Sequence, residues 1–429
     1  MKTNTRRRRE VATVDEDLSA TAAAAPAEPI SAATPAHPRG LLGRLSGMDW
    51  LAIALLVAGG LATATGLLPA RDASETLERI LPILIFLFSV VILAELTAEA
   101  EVFDVIAARV TIAARGSNVA LFWLCLAFAA LTTMFLNLDT TAVLLTPVML
   151  ATAVRAGVAP LPLAMTTVWL ANTASLLLPV SNLTNLLAAS RVKLSPVAFA
   201  ERMALPQLAA IVVVAGCLWI FYWRRNPPRY TPPSPHRAGN RPLFWVASVC
   251  CAVFITGLLL DVPLAYMTPV CAAVLVAAFA KWGRRHLRWS LIPWRLVVFV
   301  TGLFLVVETV GQHGLDSMMT SLIGTDPGAT GTWRAAIAGG GFANILNNLP
   351  SYVAGEAVIP EANHTQGLGL LIGTNVGPLI TPWASLATLI WAEHCRNRGV
   401  AIDWRKFVLT GAATAAAVLA ASVAVLIVT

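Results

Sequence analysis

The chain contains 429 residues, of which 57% are hydrophobic and 12% are charged, and its mean hydropathy is +0.72. Soluble domains carry about a quarter charged residues, so this composition excludes an ordinary soluble protein and predicts an all-α polytopic membrane protein. The 30 Lys and Arg residues outnumber the 23 Asp and Glu residues, which is compatible with nucleic acid, with anionic lipid or with membrane topology alone.

The first 47 residues differ in composition from the rest of the chain. They begin with a run of arginines and continue through acidic residues and an Ala/Pro-rich stretch, with no apolar core of signal-peptide length. We predict that residues 1–47 form a disordered cytoplasmic tail. The six cysteines form no CxxC pair, so we predict no disulfide framework, no metal site and no cofactor.

Two apolar stretches in the first half are too long for one straight helix. Between Arg115 and Arg155 the only ionisable residue is Asp139, and this stretch breaks at residues 137–141, which predicts a re-entrant hairpin. The stretch 156–190 carries no charge, but Pro179 and the residues after it interrupt it. It therefore predicts a discontinuous transmembrane helix.

The second half repeats these unusual features. Residues 333–358 predict a second hairpin with a polar tip at 347–351, and residues 366–392 predict a second broken helix. In an alignment of the two halves without a gap, four residues of the first half are identical to the residues aligned with them in the second half. The pairs are Asn172 with Asn375, Pro179 with Pro382, Leu183 with Leu386 and Leu186 with Leu389.

This pattern predicts two inverted repeats, each with a re-entrant hairpin and a discontinuous transmembrane helix. Residues 48–223 form the first repeat, 224–261 a basic cytoplasmic linker with a linker helix, and 262–429 the second, inverted repeat. If the hairpins do not cross, most Lys and Arg residues collect on the side of the N-terminal tail. The positive-inside rule then predicts a multi-pass protein of the cell inner membrane with a cytoplasmic N-terminus, and no nucleic-acid partner is needed.

Polar side chains cluster at the tips and breaks, where open backbone groups need partners other than lipid. The predicted substrate-binding residues are Asn137, Thr140, Thr141, Asn172, Thr173, Ser181, Asn182, Asn347, Asn348, Thr374, Asn375, Thr381 and Ser385. The alternative for each is that it joins helices or bonds its own backbone. Only their clustering favours a small polar cavity at the middle of the bilayer, which is the kind of binding site that a carrier uses.

Asp139 is predicted to couple transport to protons or to another ion. A charged side chain at that depth costs about 2.5–3.5 kcal/mol on insertion scales, so it is rarely kept for packing. The alternative is a structural cap on the second arm of the hairpin. For Glu95, Glu308 and Glu356 an interfacial carboxylate near water is favoured at least as much as a proton relay, and both remain open.

Several strings of residues resemble the arsenite efflux permeases of the ion transporter superfamily, which are related to sodium/proton antiporters. These strings are GTNVGPLITP at 373–382 followed by SLATL at 385–389, LDTT at 138–141 with LLTP at 144–147, SNLTN at 181–185 and NNLP at 347–350. The resemblance covers roughly residues 48–429.

The resemblance implies a secondary transporter, not an enzyme, that exports arsenite or antimonite as the neutral trihydroxide in exchange for protons. Its partners are the lipid bilayer, a small inorganic substrate and protons, and some relatives associate with a cytoplasmic arsenical ATPase. The alternatives are a sodium/proton antiporter or a sodium-coupled dicarboxylate carrier of the same fold. The oligomeric state stays open.

Overall fold

A computed structural model describes residues 47–232, 234–260 and 262–429 of the chain. Apart from Gly47, where the first helix begins, the predicted tail of residues 1–47 lies outside this part. The described residues form helices joined by short connections, with a single isolated β-bridge between Ser117 and Arg229. This confirms the predicted all-α class.

The long apolar helices coincide with the long apolar stretches of the sequence. Several helices begin at a residue whose side chain accepts a backbone N–H, such as Ser117, Ser195 and Asp403. In chain order they are α1 (Gly47–Ala64), α2 (Ala70–Glu99), α3 (Val102–Ala113), α4 (Asn118–Leu136), α5 (Leu138–Ala156), α6 (Pro160–Thr173), α7 (Leu183–Arg191), α8 (Pro196–Trp223), α9 (Arg241–Leu259), α10 (Leu264–Trp282), α11 (Trp294–Val310), α12 (Asp316–Ile323), α13 (Ala329–Leu346), α14 (Asn348–Val358), α15 (His364–Val376), α16 (Leu386–Asn397) and α17 (Trp404–Val428).

Seven described helices, α2, α4, α5, α8, α9, α11 and α17, are long and apolar enough to cross a membrane, and α1 and α10 are shorter apolar helices. Many of their large apolar side chains, such as Val212, Val249 and Leu409, are exposed. Apolar surface on this scale needs lipid around it. The chain is therefore a multi-span membrane protein.

The two hairpins follow the predicted boundaries. Helices α4 and α5 are separated at Asn137, and helices α13 and α14 at Asn347. The short helix α3 packs against both arms of the first hairpin, and α12 packs against both arms of the second. The sequence did not predict α12, because eight residues after a glycine-containing turn are too few for a clear apolar period.

The first part of the linker is anchored on the turn between α3 and α4. The backbone N–H of Tyr230 donates to the carbonyl of Gly116 (2.9 Å), and the Tyr230 hydroxyl donates to the carbonyl of Thr111 (2.5 Å). Burial raises the pKa of Tyr230 to about 12, so the phenol keeps its proton and remains a donor at neutral pH. The linker is therefore held against the first half.

Helices α13 and α15 approach each other closely because glycines line their contact. A side chain on Gly373 would overlap the backbone carbonyl of Ala336, and one on Gly377 would overlap that of Gly340. This contact joins one arm of the second hairpin to the helix that precedes the second break. The glycines in the GTNVG string therefore serve packing.

We expect Gly373→Ala to lower the stability of the protein by about 1–3 kcal/mol, because the added methyl group meets backbone that cannot move aside. Gly367→Ala is the matched control, since it lies on the same helix with nothing within 4 Å of the added atom. That control should be neutral or stabilising by up to about 1 kcal/mol. Thermal unfolding in detergent measures both, and equal melting temperatures would contradict the packing role.

Candidate functional site

The two hairpin tips have the same backbone turn. Asn137 has φ 101° and Asn347 has φ 89°, a region that residues other than glycine rarely adopt. The Thr141 hydroxyl donates to the Asn137 carbonyl (2.8 Å), and the Ser351 hydroxyl donates to the Asn347 carbonyl (2.7 Å). Asparagine at each tip therefore takes a strained conformation that a hydroxyl four residues later supports.

The tips differ at one position. Asn137 Oδ1 accepts the backbone N–H of Thr140 (2.8 Å) and so caps α5. The corresponding residue of the second tip is Pro350, which has no N–H, and the Asn347 side chain donates instead to the carbonyl of Trp383 (3.1 Å). The alternative that Asp139 caps this helix is wrong, because Asn137 makes the cap. The second tip thereby contacts the second break.

The two helix breaks also share one conformation. After α6 the chain is extended at Leu178 (φ −121°, ψ 147°), forms a single 3-10 turn and is extended again at Asn182 before α7 begins. After α15 an additional 3-10 turn at Gly377–Leu379 precedes the same order of conformations: the chain is extended at Thr381 (φ −118°, ψ 145°), forms a 3-10 turn and is extended at Ser385 before α16 begins. The predicted discontinuous helices are therefore present at the predicted residues.

Side chains from neighbouring helices satisfy the open backbone of the first break. Gln207 on α8 accepts the N–H of Leu176 (2.8 Å) and donates to the carbonyl of Thr173 (3.0 Å). Ser181 donates to the carbonyl of Met134 near the first tip (2.7 Å). The sequence prediction missed Gln207, although a polar residue beside a proline in an apolar span was an available signal.

At the second break Asn344 has the corresponding role. Its Oδ1 atom accepts from both the backbone N–H (3.1 Å) and the hydroxyl (2.7 Å) of Thr381, and its Nδ2 atom donates to the carbonyl of Gly377 (3.0 Å). Asn344 precedes the second tip by three residues, and the sequence prediction missed it too. Each hairpin is thus bonded to the broken helix that follows it in the chain.

A reciprocal pair of contacts joins the two broken helices. Asn172 Nδ2 donates to the Thr388 hydroxyl (3.3 Å), and Asn375 Nδ2 donates to Asn185 Oδ1 (2.9 Å). In the ungapped pairing of the halves, Asn172 corresponds to Asn375 and Asn185 to Thr388. The first half-helix of each break therefore bonds the second half-helix of the other.

These side chains form what we call the central polar cluster. Each of its members is at most 4% exposed, and none of them is charged. Its members are Asn172, Asn182, Thr184, Asn185, Asn375, Ser385 and Thr388.

The central polar cluster is not symmetrical in its hydrogen bonds. Asn375 Oδ1 accepts from Asn182 (2.8 Å) and from the Thr184 hydroxyl (2.9 Å). The corresponding residues around Asn172 are Ser385 and Ala387, and Ala387 has no group to donate. Asn172 Oδ1 and Ser385 Oγ are both buried without a hydrogen-bond partner among the described residues. Each buried polar atom without a partner lowers the stability of the fold by about 1–3 kcal/mol. We call Asn172 Oδ1 and Ser385 Oγ the unpaired polar pair, and their cost indicates a role other than stabilising the fold.

The tip of the first hairpin packs beside the unpaired polar pair. Leu138 and Ala142 from the tip form a small buried cluster with Ala171, next to Asn172, and Ala387, two residues after Ser385. Asp139 lies on this tip, is partly buried, and makes no hydrogen bond or ion pair within the described part of the chain. The structure therefore brings the acid-bearing tip to the same region as the unpaired atoms.

Three other predicted site residues bond only to backbone of their own helix. The hydroxyls of Thr173 and Thr374 donate to carbonyls one turn earlier, at Trp169 and Leu370. Asn348 Oδ1 accepts the N–H of the next residue (2.9 Å). The alternative considered from sequence, that such groups bond their own backbone, describes these contacts.

The acidic residues whose roles were left open are not members of the central polar cluster. Glu308 and Glu356 line a small cavity of about 60 Å³ together with Arg79 and Arg191. Glu95 is half-buried on α2.

The all-helical, multi-span fold, with two interrupted helices bonded through buried neutral side chains, is that of a membrane transporter. The chain belongs to the citrate transporter family (CitMHS), which it matches over residues 42–388. An arsenical pump membrane protein of Escherichia coli is 29% identical over 403 residues, covering 87% of this chain and 91% of that protein. Another from the same species is 30% identical over 350 residues, covering 75% and 80%.

A putative arsenical pump membrane protein of Bacillus subtilis is 23% identical over 350 residues, covering 71% of this chain and 78% of that protein. Among solved structures, the YdaH transporter of Alcanivorax borkumensis is similar at 14% identity and a TM-score of 0.49, covering 89% of this chain and 97% of that one. The sequence similarity to arsenical pump membrane proteins over most of the chain confirms the predicted kinship with arsenite efflux permeases.

Proposed function

We propose that this transporter exports arsenite and antimonite, as neutral trihydroxides, in exchange for protons. The observation that carries the proposal is the central polar cluster, whose buried side chains are all amides and hydroxyls. A neutral solute with three hydroxyl groups both donates and accepts hydrogen bonds, and such side chains match it.

The unpaired polar pair supports this assignment. Asn172 Oδ1 is an acceptor and Ser385 Oγ is both donor and acceptor, and neither has a partner among the described residues. A hydroxylated solute would supply the missing hydrogen bonds. A citrate-like carboxylate would need cationic or strongly donating partners when buried, and the central polar cluster contains no Lys or Arg.

The names of the relatives point the same way. Proteins similar to this chain over most of their length are called arsenical pump membrane proteins. The family itself carries the description citrate transporter, so carboxylates belong among the solutes to be compared. The chemistry of the central polar cluster favours the neutral trihydroxide.

Asp139 is the proposed coupling residue. Export against a gradient requires energy, and a carboxyl group at the first hairpin tip can take up a proton on one side of the membrane and release it on the other. Because that tip packs beside the unpaired polar pair, the charge on Asp139 changes the environment of the solute site. Proton uptake and solute release would then be linked through one moving hairpin.

Alternating access follows from the proposed repeat. The matching turns, breaks and reciprocal contacts of the two halves support a two-fold relationship between them. If the repeats have opposite orientations in the membrane, each hairpin opens the central polar cluster to one side only. We infer that the central polar cluster becomes accessible from one side of the membrane and then from the other as the two halves exchange conformations.

The deciding experiment measures transport in everted membrane vesicles energised by a proton gradient. Arsenite, antimonite, sodium and succinate are compared side by side in vesicles with and without the protein. Arsenite and antimonite should accumulate, and collapse of the gradient should stop their uptake. Accumulation of succinate, or proton-coupled sodium movement without arsenite transport, would contradict the proposal and favour the carboxylate or cation carrier.

A further inference from the structure

One end of the helix bundle contains a large cavity that the proposed transport cycle does not use. Its volume is about 590 Å³, and it lies between the end of α2, the start of α9 and the end of α10. The side chains of Lys281, Arg284 and Arg285 line it. We call it the basic cavity.

The acidic residues in the basic cavity already have partners. Glu99 bonds His286 (2.5 Å), and Glu101 bonds His236 (2.8 Å) while its other oxygen accepts the N–H of Gly239 (3.3 Å). These contacts tie the linker and the turn after α10 to the end of α2. The walls of the basic cavity are therefore held in place by its carboxylates.

The three cations have no carboxylate partner within the described part of the chain. Lys281 lies over the Trp282 ring at 4.8 Å, Arg284 Nε donates to the Ala280 carbonyl, and Arg285 Nε donates to a ring nitrogen of His286. Among the described residues the terminal nitrogens of both guanidinium groups have no hydrogen-bond partner, and a guanidinium fork matches phosphate oxygens.

Four exposed tryptophans lie at or near the ends of helices α9, α10 and α11 and in the connection between α10 and α11. Trp245 is the fifth residue of α9, Trp282 ends α10, Trp294 begins α11, and Trp289, between α10 and α11, is 87% exposed. Tryptophan collects at the headgroup level of a bilayer. The basic cavity therefore opens at the level of lipid headgroups rather than deep in water, on the side that the positive-inside rule predicts to be cytoplasmic.

We propose that the basic cavity binds the phosphate headgroup of an anionic phospholipid such as phosphatidylglycerol. Basic pockets between membrane helices on that side are suited to such headgroups. The three cations supply the charge complementarity, and Trp282 in the cavity wall, with the exposed tryptophans at the ends of neighbouring helices, supplies contacts for the lipid's glycerol and upper acyl chains. Bound lipid would bridge the end of α2, the linker and the turn after α10.

The test uses the full-length protein purified in a neutral detergent. Phosphatidylglycerol, phosphatidylcholine or inorganic phosphate is added, and thermal unfolding and native mass spectrometry are recorded. The variant Arg284→Gln/Arg285→Gln is compared with Arg224→Gln/Arg225→Gln, which removes two exposed arginines outside the basic cavity. Both pairs remove the same charge, so a general electrostatic effect would move them equally.

We expect phosphatidylglycerol, and not phosphatidylcholine, to raise the melting temperature of the native protein and of the control. The Arg284/Arg285 variant should bind it at least tenfold more weakly and lose the shift. Equal shifts in both variants would overturn the proposal, as would an equal effect of inorganic phosphate, which would indicate a site for soluble anions. Lys281→Gln should give an intermediate loss, which keeps the test valid if the double variant fails to fold.

Discussion

Replacing Asp139 with Asn is expected to abolish proton-driven accumulation of arsenite while the protein stays folded in the membrane. The substitution keeps the size of the side chain and removes only its ability to take up and release a proton. Because Asp139 makes no hydrogen bond or ion pair in the described part of the chain, no partner is left unpaired. Stability should change by less than about 1 kcal/mol, in the range of substitutions that break no buried contact.

Two measurements on the same Asp139→Asn protein separate coupling from binding. Proteoliposomes report accumulation driven by a proton gradient, and exchange of labelled against unlabelled arsenite reports movement without net proton flow. Exchange should survive while driven accumulation disappears. Glu393→Gln is the matched control, because this exposed acid pairs only with Arg396 on the surface and should transport normally. Driven accumulation at the native rate in Asp139→Asn would remove this residue from the mechanism.

Replacing Ser385 with Ala should weaken transport without weakening the fold. The Ser385 hydroxyl is buried and unpaired, so its removal costs the folded protein no hydrogen bond and relieves a desolvation cost of about 1–3 kcal/mol. If the solute loses its hydrogen bond to Ser385, at the same free energy of about 1–3 kcal/mol, the Kd of the solute would rise roughly 5- to 150-fold. A variant that melts at the same or a higher temperature and transports poorly is the expected combination.

Asn375→Ala is the informative counterpart to Ser385→Ala. Asn375 bonds Asn182, Thr184 and Asn185, so truncating it leaves three buried groups without their partner and should lower stability by several kcal/mol, at about 1–3 kcal/mol for each. Melting temperature in detergent and arsenite affinity are measured for both variants. If Ser385→Ala destabilised the protein as much as Asn375→Ala, the unpaired polar pair would be a structural contact rather than part of the solute site.

The positions where helices stop could be predicted from sequence because their causes are local. Pro179 and Pro382 lack the N–H that a helix continuing through each break would need, and Asn137 and Asn347 take the positive-φ backbone of the hairpin tips. Hydropathy likewise identified the apolar helices without tertiary information.

The partners of those breaks could not be predicted in the same way. Gln207 hydrogen-bonds backbone groups more than thirty residues earlier in the chain. Asn344 hydrogen-bonds Gly377 and Thr381, which come after α14 and α15 in the sequence. Neither residue stands at a break, and although Gln207 lies beside Pro206 in an apolar span, that pattern does not show which backbone groups it bonds. Only packing decides which side chain reaches an open carbonyl.

The amino-acid sequence by itself determined that this is a membrane protein, where its helices are interrupted and which residues repeat between its halves, because hydropathy, proline chemistry and asparagine conformation act over a few neighbouring residues. The tertiary structure alone decided that Asn172 meets Thr388 and that Asn375 meets Asn185. It also decided that Asn172 Oδ1 and Ser385 Oγ stay unpaired. Those facts depend on distances between side chains about two hundred residues apart, and hydrogen bonds form only where folding brings such atoms within about 3 Å.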